Sequence, residues 1–184
     1  MEGKIVHQGK SKKGTEITIR YPESIDVELM TDYINTLSDE RTFITYQGEH
    51  ETIDSETKYL TGQIEKIRNK RAVQLLVFAN NNLIGISNIE LGTRTGRHVG
   101  LLGISVAKNF RGEGIGQILI DYVIREAEKK LSGLEIIVLG VFSGNTQSFN
   151  WYKKLGFIEE GRLPNGVKLE NGYQDHIYMY RPVK

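Results

Sequence analysis

This sequence predicts an α/β fold in a single domain, a mixed sheet of about six or seven strands flanked by helices. Three observations carry that expectation. Apolar runs of strand length recur in the second half, among them LIGISNIEL, HVGLLGISV and LEIIVLGVF. Between the last two lies a segment whose residues Ile115, Leu119, Tyr122, Val123, Ala127 and Leu131 fall on one helical face. Strand, helix, strand in that order implies a right-handed crossover joining parallel strands.

The elements follow from the same patterns. Residues 1–14 are rich in Gly and Lys and read as a flexible leader, or as a first edge strand; the domain proper is expected over 15–184. Ile17–Tyr21 alternates as a strand and stops at Pro22, and Asp26–Leu37 has helical spacing. Ser38–Asp54 is polar and aperiodic, a loop with a short turn, and Ser55–Asn69 fits a second helix. VQLLVFA and LIGISNIEL form a hairpin about Asn80–Asn82, because asparagines between two apolar runs are turn chemistry. His98–Val106 is the next strand, Gly116–Leu131 the clearest helix, and Leu134–Phe142 a strand covered on both faces. A short helix over Asn145–Leu155 precedes two last strands, Phe157–Arg162 and Tyr173–Tyr180, joined by the Gly/Asn-rich LPNGVKLENG.

Composition narrows the function classes. Twenty-four Lys and Arg against 23 Asp and Glu leave a net charge of +1, which argues against nucleic acid as a partner. The chain has no cysteine, which removes disulfides, thiolate metal sites and a cysteine nucleophile. No apolar run approaches the roughly 18 residues of a membrane span, and the first residues lack the apolar core of a secretion signal. A cytoplasmic protein without membrane partners or metal is expected. No apolar surface stripe demands a homodimer, although one is compatible with the sequence.

The chemistry is concentrated where HVGLLGISV gives way to helix, in AKNFRGEGIGQ. Gly112, Gly114 and Gly116 stand where a helix should be starting, at a cost in local stability. A helix N-terminus presents unpaired N–H groups and a partial positive charge, so it receives phosphate. Glycines let a pyrophosphate reach the amides of Gly112, Glu113, Gly114, Ile115, Gly116 and Gln117, and Arg111 adds a cation suited to phosphate. A P-loop would need Lys-Ser/Thr after the last glycine, where Gln117 and Ile118 stand. A dinucleotide fingerprint would need a glycine at 117.

A third pattern fits: Arg/Gln-x-x-Gly-x-Gly/Ala directly after a strand, met by Arg111, Gly114 and Gly116. Further on, NTQSFNWYKKLGF supplies Asn145 and then Tyr152, which heads a Tyr-x-x-x-Gly-Phe run with Gly156 and Phe157. Both stretches resemble the GCN5-related N-acetyltransferase superfamily, over about 17–180. The tail is similar to a branch of small cytoplasmic acetyltransferases that act on free amino acids, polyamines, antibiotics or protein N-termini.

The resemblance implies acetyl-CoA as co-substrate and an amine acceptor, with no metal. It implies a sheet whose parallel strands splay, the pantetheine arm pairing with backbone of Ile104, Ser105 and Val106. It also implies Tyr152 as the acid that protonates the departing thiolate, and Asn145 as a partner of the coenzyme or of a bridging water. A general base is less legible, because His98–Val106 contains no acid. His98 and Glu90 at neighbouring strand ends are the candidates, acting through water, with Asp175 and His176 on the acceptor side. The acceptor wall is expected between the Ser38–Asp54 loop, with Glu40, Glu49 and Glu51, and the final hairpin. The expected reaction is direct attack of a primary amine on acetyl-CoA in a ternary complex. A small-molecule amine or free amino acid is the leading acceptor, and a protein N-terminus the next. The rival reading is a non-catalytic acyl-CoA-binding or regulatory module, which would need the glycine loop but neither Tyr152 nor Asn145.

Overall fold

A computed structural model describes residues 1–183. The chain opens with a hairpin of β1 (Ile5–Lys10) and β2 (Glu16–Arg20), then turns through Ser24–Asp26 into α1 (Val27–Asp39) and α2 (Ile53–Arg68). A meander follows: β3 (Ala72–Ala79), β4 (Asn82–Leu91) and β5 (Val99–Val106). Then come α3 (Ile115–Lys130), β6 (Ile136–Phe142), α4 (Thr146–Lys154), β7 (Ile158–Leu169) and β8 (Gly172–Pro182). Among the described residues eight strands form one sheet ordered β1-β2-β3-β4-β5-β6-β8-β7, in which β5 and β6 run parallel and the other pairs antiparallel.

The eighth strand is β1. The first residues therefore carry the edge strand rather than a loose leader, with Lys10 opposite Glu16 and Gly9 opposite Ile17. LPNGVKLENG also differs from expectation, since it is mostly strand and the turn lies after Leu169. Pairing of β7 with β8 shifts between Leu163 and Val167, so Pro164, Asn165 and Gly166 form an irregularity. An edge strand tolerates this because proline there forfeits no ladder bond.

Helices cover both faces. α1 and α2 pack Met30, Tyr33, Leu37, Leu60 and Ile64 onto Leu76 and Ile86. On the other face α3 buries Ile115, Leu119, Ile120, Val123, Ile124 and Ala127, each large aliphatic side chain stabilising the fold by about 2 kcal/mol. α3 also grips the first hairpin. The buried Tyr21 hydroxyl donates to Glu126 at 2.9 Å, and the His7 ring lies 4.8 Å from that of Tyr122.

One feature of the sheet positions the site. β5 pairs with β6 only over Val99–Leu101 and Ile136–Val138. Beyond that, β5 stays with β4 as far as Val106, and β6 stays with β8 as far as Phe142. Each strand keeps its outer partner while sheet twist carries the two apart, so a wedge opens between them.

Candidate active site

The wedge has backbone on offer along β5. Ala107 N donates to Ile84 O, and the pairing of Ser105 with Ile86 continues the same antiparallel alternation. The amides and carbonyls of Ile104 and Val106 therefore face away from β4, toward the gap, whereas those of Ser105 face β4. The Ser105 side chain instead meets the Tyr33 hydroxyl at 3.0 Å on the α1 face. Burial pushes the Tyr33 phenol well above its ordinary pKa.

At the mouth of the wedge, Gly112 and Gly114 take left-handed φ values of +74° and +79°, and Gly114 caps α3. The space beside Gly112 is open, and a methyl at Gly116 would make only ordinary contacts with Trp151 and Val106, at 3.7 and 3.8 Å. Gly114 differs from expectation, because its side-chain space is already filled by the stem of Lys12. The Glu113 side chain turns into the protein and accepts hydrogen bonds from Ser11 at 2.8 Å and Thr15 at 2.7 Å. Those hydroxyls, Thr15 foremost, hold its carboxyl below the usual range. Arg111 reaches back from the loop, its Nε donating to Val106 O at 2.8 Å and its Nη1 lying 2.7 Å from Glu40 Oε2. A diphosphate fits this cradle: unpaired N–H groups at the start of α3, open space at Gly112 and a cation at the rim.

α4 closes the far side. Trp151 Nε1 donates to Gln117 Oε1 at 2.9 Å, joining α4 to the first turn of α3. Asn145 caps α4, its Oδ1 accepting from Ser148 N at 3.1 Å, so the carbonyl end of that side chain serves the helix. Tyr152 is 8% exposed, its ring packed on Trp151 and Phe157. Burial alone raises its pKa to about 12, with no hydrogen bond or charge contributing. The phenol is thus held protonated, ready to donate.

The two base candidates fare differently from the loop and α4. His98 stands just ahead of β5 at its closed end, where its carbonyl accepts from Ile136 N. It is six residues from Ile104, roughly 20 Å at about 3.3 Å per residue. Glu90 pairs opposite Leu101, roughly 10 Å from Ile104 on the same scale, and is bound to Lys66 at 2.8 Å and Gln63 at 3.1 Å. His98 thus lies at the closed end of β5, whereas Glu90 stands on the neighbouring strand level with Leu101, where β5 and β6 begin to part. Asp175 is engaged in the β7 irregularity, accepting from Asn165 N at 3.1 Å.

His176 is placed otherwise. It pairs opposite Phe142 at the open end of β6. Its ring stacks 4.5 Å from Tyr178, meets Phe142 edge-on at 5.9 Å, and lies directly over Gly140. Continuing the parallel register from Leu101–Val138 sets Gly140 level with Gly103, and Phe142 level with Ser105, across the gap. The sequence signal for this position was a glycine two residues from the end of an otherwise apolar strand. It becomes informative only once β8 is known to lie alongside.

The α1–α2 loop and the β7–β8 turn, the two segments expected to form the acceptor wall, are joined by an ion pair of Arg41 with Glu170. Much of the loop's acid is used internally: Glu51 accepts from Tyr46 at 2.6 Å, and Glu40 faces Arg111. A separate groove beside Gln8, Thr18, Ile25, Leu29 and Phe78 lies on the β1–β2–β3 flank and contains none of these residues.

Comparison with known proteins agrees with this geometry. A model of the acetyltransferase (GNAT) family matches residues 32–157, and the chain belongs to that family. It is an acetyl-CoA-dependent acetyltransferase, with acetyl-CoA as co-substrate. It is 27% identical over 144 residues to the [ribosomal protein bS18]-alanine N-acetyltransferase of Escherichia coli, covering 78% of this chain and 80% of that one. It is also 27% identical over 169 residues to a spermidine N(1)-acetyltransferase of Vibrio cholerae, covering 90% and 92%. A GNAT-family acetyltransferase from Streptococcus pneumoniae superposes with a TM-score of 0.83 at 28% identity, over 91% of this chain and 100% of that one.

Proposed function

We propose that this enzyme acetylates a primary amine, foremost a small-molecule amine or free amino acid in the cytoplasm, by direct attack in a ternary complex. The observation that carries the reading is the wedge itself. Gap-facing backbone of β5 and an open helix end share one opening, and the Trp151–Gln117 bond ties α4, which carries the buried phenol, to that helix end. Acetyl-CoA brings the activated acetyl thioester.

The protein's own groups then divide the work. The amides from Gly112 to Gln117 hold the diphosphate, with open space at Gly112 to admit it. A gap-facing N–H of Ile104 or Val106 stabilises the oxyanion, a kind of donor worth on the order of 3 kcal/mol. Tyr152 keeps its proton at neutral pH and gives it to the departing sulfur. A thiol near roughly pKa 8.5 leaves readily, so this assistance is modest. His176, held over Gly140 on the acceptor side, takes the proton that the amine must lose. An α-amine near roughly pKa 8 asks less of that base than a lysine near 10.4, which favours free amino acids and N-termini over internal lysines. Asn145, fixed by its cap bond, keeps its amide N–H groups for the coenzyme or a water.

The test is thiol release from acetyl-CoA across amino acids, polyamines, aminoglycosides and short peptides, wild type beside Tyr152→Phe. The chain has no cysteine, so the protein adds no thiol signal of its own. Release with one amine class, reduced at least tenfold in the variant, is expected. Equal release by both proteins would remove Tyr152 as the acid, and release with peptides alone would replace the small acceptor by a protein N-terminus.

A further inference from the structure

The turn between β1 and β2, residues 11–15, lies outside the stretch matched by the family model, yet it is fastened to the glycine loop at three points. Lys12 N donates to Glu113 O at 2.9 Å, and the Ser11 and Thr15 hydroxyls both donate to Glu113 Oε2. Ser11 Oγ in turn accepts from Lys13 N at 3.2 Å and Thr15 N at 3.1 Å, so the same hydroxyl that meets Glu113 also shapes the turn. Glu113 is 7% exposed and Ser11 6%. α3 anchors the rest of the hairpin through Tyr21–Glu126 and His7–Tyr122.

The consequence falls on Lys12. Its Cγ and Cδ lie 3.0 Å, and its Cε 3.1 Å, from where a Cβ on Gly114 would stand. The aliphatic stem therefore crosses the N-cap of α3, and the ammonium emerges at the solvent-exposed rim of the same helix end. Arg111, the cation next to the glycines in the loop itself, is shared with Glu40 and the Val106 carbonyl. A bare stem laid across a glycine, with its charge at the rim, is how a lysine side chain covers a surface while keeping its head in water.

We infer that Lys12 is a diphosphate-binding residue of the coenzyme site, supplied by the N-terminal hairpin and held in place by Glu113. The inference rests on the coenzyme placement proposed above. Glu113 acts as a positioning residue, since its carboxylate touches the turn and not the ligand. Gly114 is explained twice over, by its left-handed φ and by the lysine it must let pass.

The experiment is equilibrium binding of coenzyme A, followed by calorimetry and by fluorescence of Trp151, the chain's one tryptophan and a neighbour of Gly116. The probes are coenzyme A, 3′-dephospho-coenzyme A and pantetheine 4′-phosphate, each with wild type, Lys12→Met and Glu113→Ala. Lys12→Met keeps an apolar stem and removes the charge at an exposed position, so folding is not at issue. About a tenfold loss is expected for both diphosphate-containing probes, the size of one hydrogen bond to a charged group. The loss should shrink as salt is raised. Glu113→Ala is expected to weaken the same two probes, and little further when combined with Lys12→Met. Unchanged affinity in Lys12→Met overturns the inference. A loss confined to coenzyme A, sparing the dephospho form, also overturns it by assigning the lysine to the 3′-phosphate. If the wild type fails to bind coenzyme A at all, the proposed site falls with it, a result separable from either of these.

Discussion

Replacing Gly140 by alanine sets the acceptor-side imidazole against the fold in a way that can be read from two measurements. Gly140 lies in β6 without a left-handed φ, so an alanine backbone is acceptable there. The new methyl would overlap His176 Nε2 and lie 3.0 Å from Cε1 and 3.2 Å from Cδ2. Ordinary contact needs about 3.5 Å or more, so the ring must withdraw by more than about 1 Å. The obstructed atoms are the far end of a half-buried side chain, which gives way more cheaply than backbone. Relief of glycine's entropy cost contributes about 0.5–1 kcal/mol in favour of the variant, against weaker stacking of the ring on Tyr178 and Phe142. Stability should therefore stay within about 1 kcal/mol, a shift of roughly 2–4 °C in Tm for a domain of this size. Catalysis has no such compensation, because a displacement of about 1 Å at a reacting group costs on the order of 100-fold. The assay pairs thermal unfolding with steady-state acetylation, beside His176→Gln as the reference. Near-native Tm with kcat/KM falling toward the His176→Gln value is the expected pair. Wild-type turnover in both variants would refute His176 as the base.

Three further outcomes follow from the same coordinates. Burial raises Tyr152 to about 12, so its proton stays in place through the alkaline range; kcat at saturating acetyl-CoA should show no descending limb near pH 10, where an ordinary phenol titrates. Such a limb, absent from Tyr152→Phe, would show Tyr152 titrating as an ordinary phenol and contradict its elevation by burial. Gly100→Ala, at the closed end of β5, would push a methyl to 2.7 Å from Ile89 and 2.8 Å from Leu134; overpacking of this kind costs about 1–3 kcal/mol, seen in denaturant unfolding with coenzyme affinity unchanged. Arg20→Ala would strip the two-pronged partner, at 2.6 and 2.7 Å, from Asp26, a residue only 2% exposed. A loss of about 3 kcal/mol is expected, and Arg20→Lys should recover only part of it because ammonium cannot reproduce the fork.

The glycine loop, the tyrosine helix and the parallel strands were legible in the sequence, since each is written by neighbours in the chain. A period of 3.6 or 2, a glycine at a helix start and a fixed Asn-to-Tyr interval are all local signals. Hence β5, α3, β6 and α4 were expected nearly where they stand; Arg111 and Gly112–Gln117 were named from the glycines at a helix start, and Tyr152 from the family resemblance. Edge strands were harder: IVHQGK and the Pro-bearing stretch of β7 lack alternation and gain their form from the strand beside them.

What tertiary structure alone decided was which distant side chains share a space. Lys12 reaches Gly114 because α3 packs across the first hairpin, and His176 lies over Gly140 because β8 inserts between β6 and β7. Conversely, His98 looks close to the motif in sequence, but a strand extends by about 3.3 Å per residue and carries it to the closed end of β5. Chemistry at the wedge is set by distance through space. The sequence determined the glycine cradle and Tyr152 because each lies within a single segment; the proposed base His176 and the proposed second cation Lys12 come from elements brought together only when the sheet forms.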